Sequence, residues 1–175
     1  MTVRQQTGPP WSAAAVDFTD FYQAHFHRIA TQLYAYLGDH AEAQDVTQEA
    51  FCRLLERWDR ISTYDDPSAW VRRVAWNLAT SRLRRLRTAV RHLAGQREEH
   101  MPGPEPDRVA LIHALATLPA TQRKAIVLHH LAHLTVAEIA EQVGAAEGTV
   151  RSWLSRGRTA LARHFTETGS EARRA

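Results

Sequence analysis

The chain of 175 residues carries 22 Lys+Arg against 19 Asp+Glu, a formal net charge of +3, ten His and a single Cys, with 44% apolar and 23% charged residues. Such a length holds one ordinary domain or two small ones, and this composition excludes collagen-like, wholly disordered and disulfide-scaffold chains. Cys52 alone closes no bridge and builds no CxxC zinc site, no stretch approaches the roughly 18 apolar residues of a membrane span, and no apolar leader follows Met1, so a soluble cytoplasmic protein is expected.

Twenty-eight alanines and apolar residues at helical spacing predict an all-α protein of two small helical domains joined by a flexible linker. Residues 1–16, with Gly8, Pro9 and Pro10, read as a loose leader. The first domain is expected over residues 17–93. Its first helix runs from Asp17 to Leu37 with Tyr22, Phe26, Ile29, Leu33 and Leu37 on one face, and Gly38 stops it. Asp39 caps a second helix, with Glu42 at capping-box spacing, and Ala43, Val46, Ala50, Leu54, Trp58 and Ile61 form its apolar face as a single helix. Asp45, Gln48 and Glu49 share the opposite face, which by spacing alone is an ordinary solvated stripe.

A loop, Ser62 to Asp66, leads to Pro67, a favoured first helical position. The third helix, reaching Leu93, is rich in arginine. Arg73, Asn77, Thr80 and Arg84 recur along one stripe, and Val71, Val74, Ala75 and Leu78 supply its buried side. An Asn flanked by arginines suits a base edge held between phosphates, and Tyr64 and Trp76 offer rings on which single-stranded bases stack. Trp70, near the helix start, is expected in the core.

Residues 94–106, with three prolines and no apolar period, read as the linker. The second domain spans 107–167, with helices at Val109–Leu118, Thr121–Ala132, Thr135–Val143 and Glu147–Phe165, and a short tail follows over 168–175. Ala140 is small where a second helix must approach, Gly144 permits a tight turn, and Val150 and Leu154 anchor the next helix. That spacing is the geometry of a helix-turn-helix, an α-hairpin packed against another protein being the plain alternative. The outward face carries Arg151, Ser152, Ser155, Arg156 and Arg158, side chains suited to base edges and phosphates. Trp153 fits either the domain core or a sugar–phosphate edge, with packing favoured.

The charge follows these segments. Residues 1–66 hold five Arg and ten acids, residues 67–97 eight Arg and no acid, residues 98–147 three basic and seven acidic groups, and residues 148–175 six Arg and two Glu. Two basic blocks separated by acidic ones fit two contacts with a polyanion, solvated helix faces being the plain alternative.

The runs AEAQDVTQEAFCRLLERWDRI, PSAWVRRVAWNLATSRLRRLR and LPATQRKAIVLHHLAHLTVAEIAEQVGAAEGTVRSWLSRGRTAL, in this order and at this length, resemble a bacterial extracytoplasmic-function (ECF, group 4) RNA polymerase sigma factor of the sigma-70 family. The VRRV…NLA…R stretch brings it nearest to actinobacterial members, and the resemblance covers about Phe18 to Phe165. It implies a first domain equivalent to sigma region 2 and a second equivalent to region 4. It implies that Asp45, Gln48 and Glu49, matching the family's DxxQE motif, dock on the clamp helices of the largest subunit of core RNA polymerase. It further implies that Ser62–Asp66 and the stripe around Asn77 open the −10 element and hold a flipped base, and that Arg151, Ser152, Ser155 and Arg156 read the −35 element of promoter DNA. The acidic linker would run through the RNA exit path. An anti-sigma protein is a further partner the family brings to mind, and no metal or cofactor is implied. Two positions depart from the pattern: Trp153 stands where many relatives carry a basic residue, and Asp65 and Asp66 make the loop acidic for a strand-binding element.

A stand-alone helix-turn-helix regulator is the rival reading, but it leaves the carboxylate face and the arginine stripe without a task. An enzyme is weaker still. His129, His130 and His133 lie in HHLAH with no intervening Glu and no third ligand, and no phosphate-loop, dinucleotide or nucleophile-elbow motif occurs. Cys52, beside Phe51, reads as a small packing residue.

Overall fold

The structure, a computed structural model, describes residues 17–92 and 106–172, and the side chains of 17–86 and 108–167. The expected leader and the linker up to residue 105 lie outside the described residues.

Helix α1 (Phe18–Leu37) is started by Asp17, whose side chain accepts from the Thr19 N–H, and ended by Gly38 in the left-handed conformation (φ 81°), its N–H bonded to the Tyr34 carbonyl. Helix α2 (His40–Leu55) follows at once. Asp39 Oδ1 accepts from the Glu42 N–H at 2.9 Å, but only half of the expected capping box forms. The Glu42 carboxylate turns instead to Arg82, accepting from Nε at 2.6 Å and Nη2 at 3.3 Å, and so ties α2 to the third long helix.

The second helix is not continuous to Ile61, as its periodicity implied. It ends at Leu55, and a single turn, α3 (Trp58–Ile61), follows. Arg57 leaves helical geometry (φ −123°, ψ 12°). The break lets Trp58 meet the rings of Phe18 and Phe21 at 5.4 and 5.1 Å while Ile61 is fully buried, so aromatic packing outweighs one more turn of helix. Helix α4 (Pro67–His92) opens at Pro67 as expected. Leu33, Ala50, Leu54, Val71 and Ala75 close the core between α1, α2 and α4, and Trp70 is half-buried against it.

The second domain comprises α5 (Pro106–Ala116), α6 (Ala120–His130), α7 (Val136–Val143) and α8 (Glu147–Ala172). Helix α5 starts earlier than expected, at Pro106, and α8 continues past the expected end at Phe165 to Ala172. Thr135 and Glu138 form a reciprocal capping box at the start of α7, and Gly144 (φ 68°) makes the turn out of it. Ile139, Val150 and Leu154 are buried as anticipated, and Ala140 lies 7% exposed beside α8.

Helix α1 also receives α5 and α6, so the two domains touch. This contact buries Gln32, Tyr34 and Tyr36 beyond the expected apolar face of α1. Arg123 of α6, itself buried, donates from Nη1 to the Tyr36 carbonyl at 2.9 Å and from Nη2 to the Ala116 and Leu118 carbonyls at 2.6 and 3.2 Å.

Candidate nucleic-acid and protein interfaces

On α2, burial of Ala43, Val46, Thr47, Ala50 and Leu54 turns Asp45, Gln48 and Glu49 outward, where all three are exposed. They are held in place differently. The Tyr22 hydroxyl donates to Gln48 Oε1 at 3.0 Å, Gln48 Nε2 stands 3.9 Å from Cys52 Sγ, and Glu49 pairs with Arg53 at 2.6 Å. The Glu49–Arg53 pair is about half exposed on both sides, so it steers the carboxylate without contributing much stability. Cys52 is exposed rather than packed, which corrects its expected role, and Leu55 is 55% exposed on the same helix. Both continue the Asp45–Gln48 row at helical spacing, a signal the sequence held.

On α4, Arg73, Asn77, Thr80 and Arg84 are all exposed, whereas Trp76 is 0% exposed and packs against Tyr36 at a centroid distance of 5.0 Å. The expectation of Trp76 as an open stacking ring is therefore corrected: Trp76 follows Ala75 and precedes Ala79 on the buried side. Tyr64 is 43% exposed in the loop before α4. That loop is less negative in effect than its sequence suggests. Asp66 Oδ1 accepts from the Ala69 N–H at 3.0 Å and from Ser68 Oγ at 2.6 Å, so its charge faces the positive end of α4. Burial pushes the Asp66 carboxyl up, but those hydrogen bonds and nearby Arg72 outweigh it and hold the group below its ordinary value.

On α8, Arg151, Ser155, Arg156 and Arg158 are exposed, and Ser152 and Trp153 are half-buried. Trp153 packs against the core, the favoured of its two expected placements. Arg151 pairs with Glu147 at 2.5 Å, and Arg158 Nε donates to the Leu154 carbonyl at 3.3 Å. His129 Nδ1 lies 2.8 Å from the Leu134 carbonyl and closes the α6–α7 turn. Among the described residues no His, Cys, Asp and Glu group of three or more is placed to hold a metal. Sequence reasoning missed Arg123 and Lys124, whose only cue was the one lysine in the chain.

The Sigma-70 region 2 family matches residues 21–89, and the family described as Sigma-70, region 4 matches residues 108–161. The chain is 32% identical over 133 residues to the ECF RNA polymerase sigma factor SigC of Mycobacterium tuberculosis, covering 73% of this chain and 72% of that protein. It belongs to the ECF RNA polymerase sigma factors.

A sigma-E factor of Streptomyces antibioticus is 35% identical over 128 residues, covering 71% of this sigma factor and 69% of the relative. The sigma factor RpoE of Bartonella quintana, solved in complex with the anti-sigma factor NepR, shares the fold with a TM-score of 0.74 at 23% identity, over 86% of this chain and 97% of that one. Sigma factors are not enzymes but serve promoter-specific transcription initiation, and the helix-turn-helix described above is the DNA-binding element of region 4. No described helix of this sigma factor is long and apolar enough to cross a membrane.

Proposed function

We propose that this sigma factor docks on core RNA polymerase through Asp45, Gln48 and Glu49, and reads the −10 element with Tyr64, Arg73, Asn77, Thr80 and Arg84. In the same reading, Arg151, Ser152, Ser155, Arg156 and Arg158 meet the −35 element. The observation that carries this reading is the segregation of surfaces: α2 turns its carboxylate–amide row outward while α4 and α8 expose arginines with amides and hydroxyls among them. Arginines on phosphates supply a salt-dependent, sequence-independent attraction, and Asn77, Ser152 and Ser155 add base reading. Each half-site is weak alone; joining them through one polymerase raises the effective concentration of the second contact.

Strand opening costs a few kcal/mol per unstacked step, and a flipped base held near Tyr64 and Asn77 returns part of it. With Trp76 buried, Tyr64 is the ring left for this stacking. An anti-sigma protein is a proposed further partner, as NepR is for RpoE. Run-off transcription from fragmented genomic DNA, with core polymerase alone and with this chain added, tests the reading. Start sites that appear only with the chain, sharing two motifs at constant spacing, are expected. Tight operator binding without polymerase and no new start sites would overturn it.

A further inference from the structure

We infer that Tyr22 of α1 is a positioning residue for docking on core polymerase, its hydroxyl holding the Gln48 side chain of α2 in the arrangement that polymerase meets. This rests on the docking role of α2 proposed above and adds to it a group from another helix. Core packing fixes where that hydroxyl lies. The Tyr22 ring stacks on Phe26 at a centroid distance of 4.8 Å, meets Phe51 of α2 edge-on at 5.0 Å and tilts against Phe18 at 6.2 Å. A ring held by three others keeps one rotamer. Phe18, Phe21, Phe26 and Phe51 carry no polar side-chain atom, and a phenylalanine at position 22 would fill the same space. Packing alone therefore does not ask for the oxygen.

What the oxygen meets is Gln48 Oε1, at 3.0 Å and 26 residues away in sequence. Gln48 is exposed, and an unrestrained glutamine on a helix surface spreads over several rotamers whose loss on binding costs affinity. Anchored at Oε1 to a fixed hydroxyl, this side chain has given up that freedom before polymerase arrives, and its Nε2 lies 3.9 Å from the exposed Cys52 Sγ. Glu49 is steered by Arg53, a long side chain of the same helix; Tyr22 differs in being anchored in the core. The Tyr22–Gln48 bond is itself exposed, so water replaces it at little cost to the fold. Its effect falls on association rather than on stability.

The test is a double-mutant cycle on the full chain, with affinity read by titration against core polymerase carrying a fluorophore and stability read by thermal melting. Tyr22→Phe keeps the ring contacts and removes only the hydroxyl; Gln48→Ala removes its acceptor. Tyr22→Phe should weaken binding about three- to tenfold in the parent, and by less than about twofold in the Gln48→Ala background, where the hydroxyl has nothing to hold. Melting of Tyr22→Phe should match that of the parent. A packing defect would weaken binding equally in both backgrounds, so the cycle decides even where melting shifts. Full affinity of Tyr22→Phe, or an equal loss in both backgrounds, with Gln48→Ala weakened, overturns the inference and leaves the docking role of Gln48 standing. A Gln48→Ala chain that binds as tightly as the parent overturns both.

Discussion

Gly157 of α8 and Ile126 of α6 approach so closely that a β-carbon on Gly157 would stand 2.9 Å from Ile126 Cγ1. Glycine here serves helix-to-helix approach rather than backbone freedom. Gly157→Ala gains helix propensity, but the atom it meets lies in the branched part of a buried side chain, so overpacking of about 1–3 kcal/mol outweighs the gain. A lowered unfolding midpoint by circular dichroism is expected, larger for Gly157→Val. An Ala variant as stable as the parent would mean that the two helices part without cost.

Asp66 is expected to contribute about 1 kcal/mol as the cap of α4, and Asp66→Ala to remove it, while Asp66→Asn retains most. Because the carboxyl titrates below its ordinary 3.8 in the folded chain, its contribution is complete above that value and is lost as pH falls through the lower folded value. Urea melts of parent and Asp66→Ala should therefore differ more at pH 7 than in strong acid, where the neutral carboxyl keeps only the part of the cap that Asp66→Asn keeps. A constant difference across that range would show that the charge is not what caps the helix.

Asp45→Ala with Gln48→Ala should weaken binding to core polymerase at least tenfold, about 1.4 kcal/mol, with the helical spectrum and melting unchanged. Both side chains are exposed and neither fills the core. Unchanged affinity in a fluorescence titration would remove α2 from the docking surface.

The all-α class, the start of α4 at Pro67, the turn at Gly144 and the outward faces of α2, α4 and α8 were legible because each follows from local rules: helical periodicity, proline at a first turn and glycine at a turn. What was not legible depends on tertiary contact. The break after Leu55 exists because Trp58 finds Phe18 and Phe21, rings distant in sequence. Trp76 looked like an open ring because a position between two faces of a helix is assigned by what packs there, here Tyr36. Gln32, Tyr34 and Tyr36 gave α1 a second face whose purpose appears only when α5 and α6 cover it.

Asn77→Ala should alter preference among −10 sequences by about 1–3 kcal/mol and leave −35 preference intact, while Ser155→Ala with Arg156→Ala should do the reverse. Competitive run-off transcription on promoter libraries randomised in one element at a time measures both. An equal effect of Asn77→Ala on the two elements would dissociate this side chain from the −10 contact.

Lys124 gives the stability of the folded chain a pH dependence whose sign follows from burial. Its amine, ordinarily near 10.5, is brought to about 8 by desolvation between α6 and α4. Between those values the unfolded chain holds a proton that the folded chain has released, so this group makes folding more favourable as pH rises from about 8 toward 10.5, and its burial cost is constant and greatest below 8. Lys124→Met keeps a flexible apolar stem against Trp76 and has nothing to titrate. The difference in melting temperature between the Met variant and the parent should therefore shift in the parent's favour as pH is raised through 8 and 9. Tyrosine titration, common to both, cancels in that difference. Because Lys124 is the only lysine of the chain, a difference that stays constant from pH 7 to pH 10 would show that its amine is solvated in the folded protein, and with it that α6 does not cover Trp76.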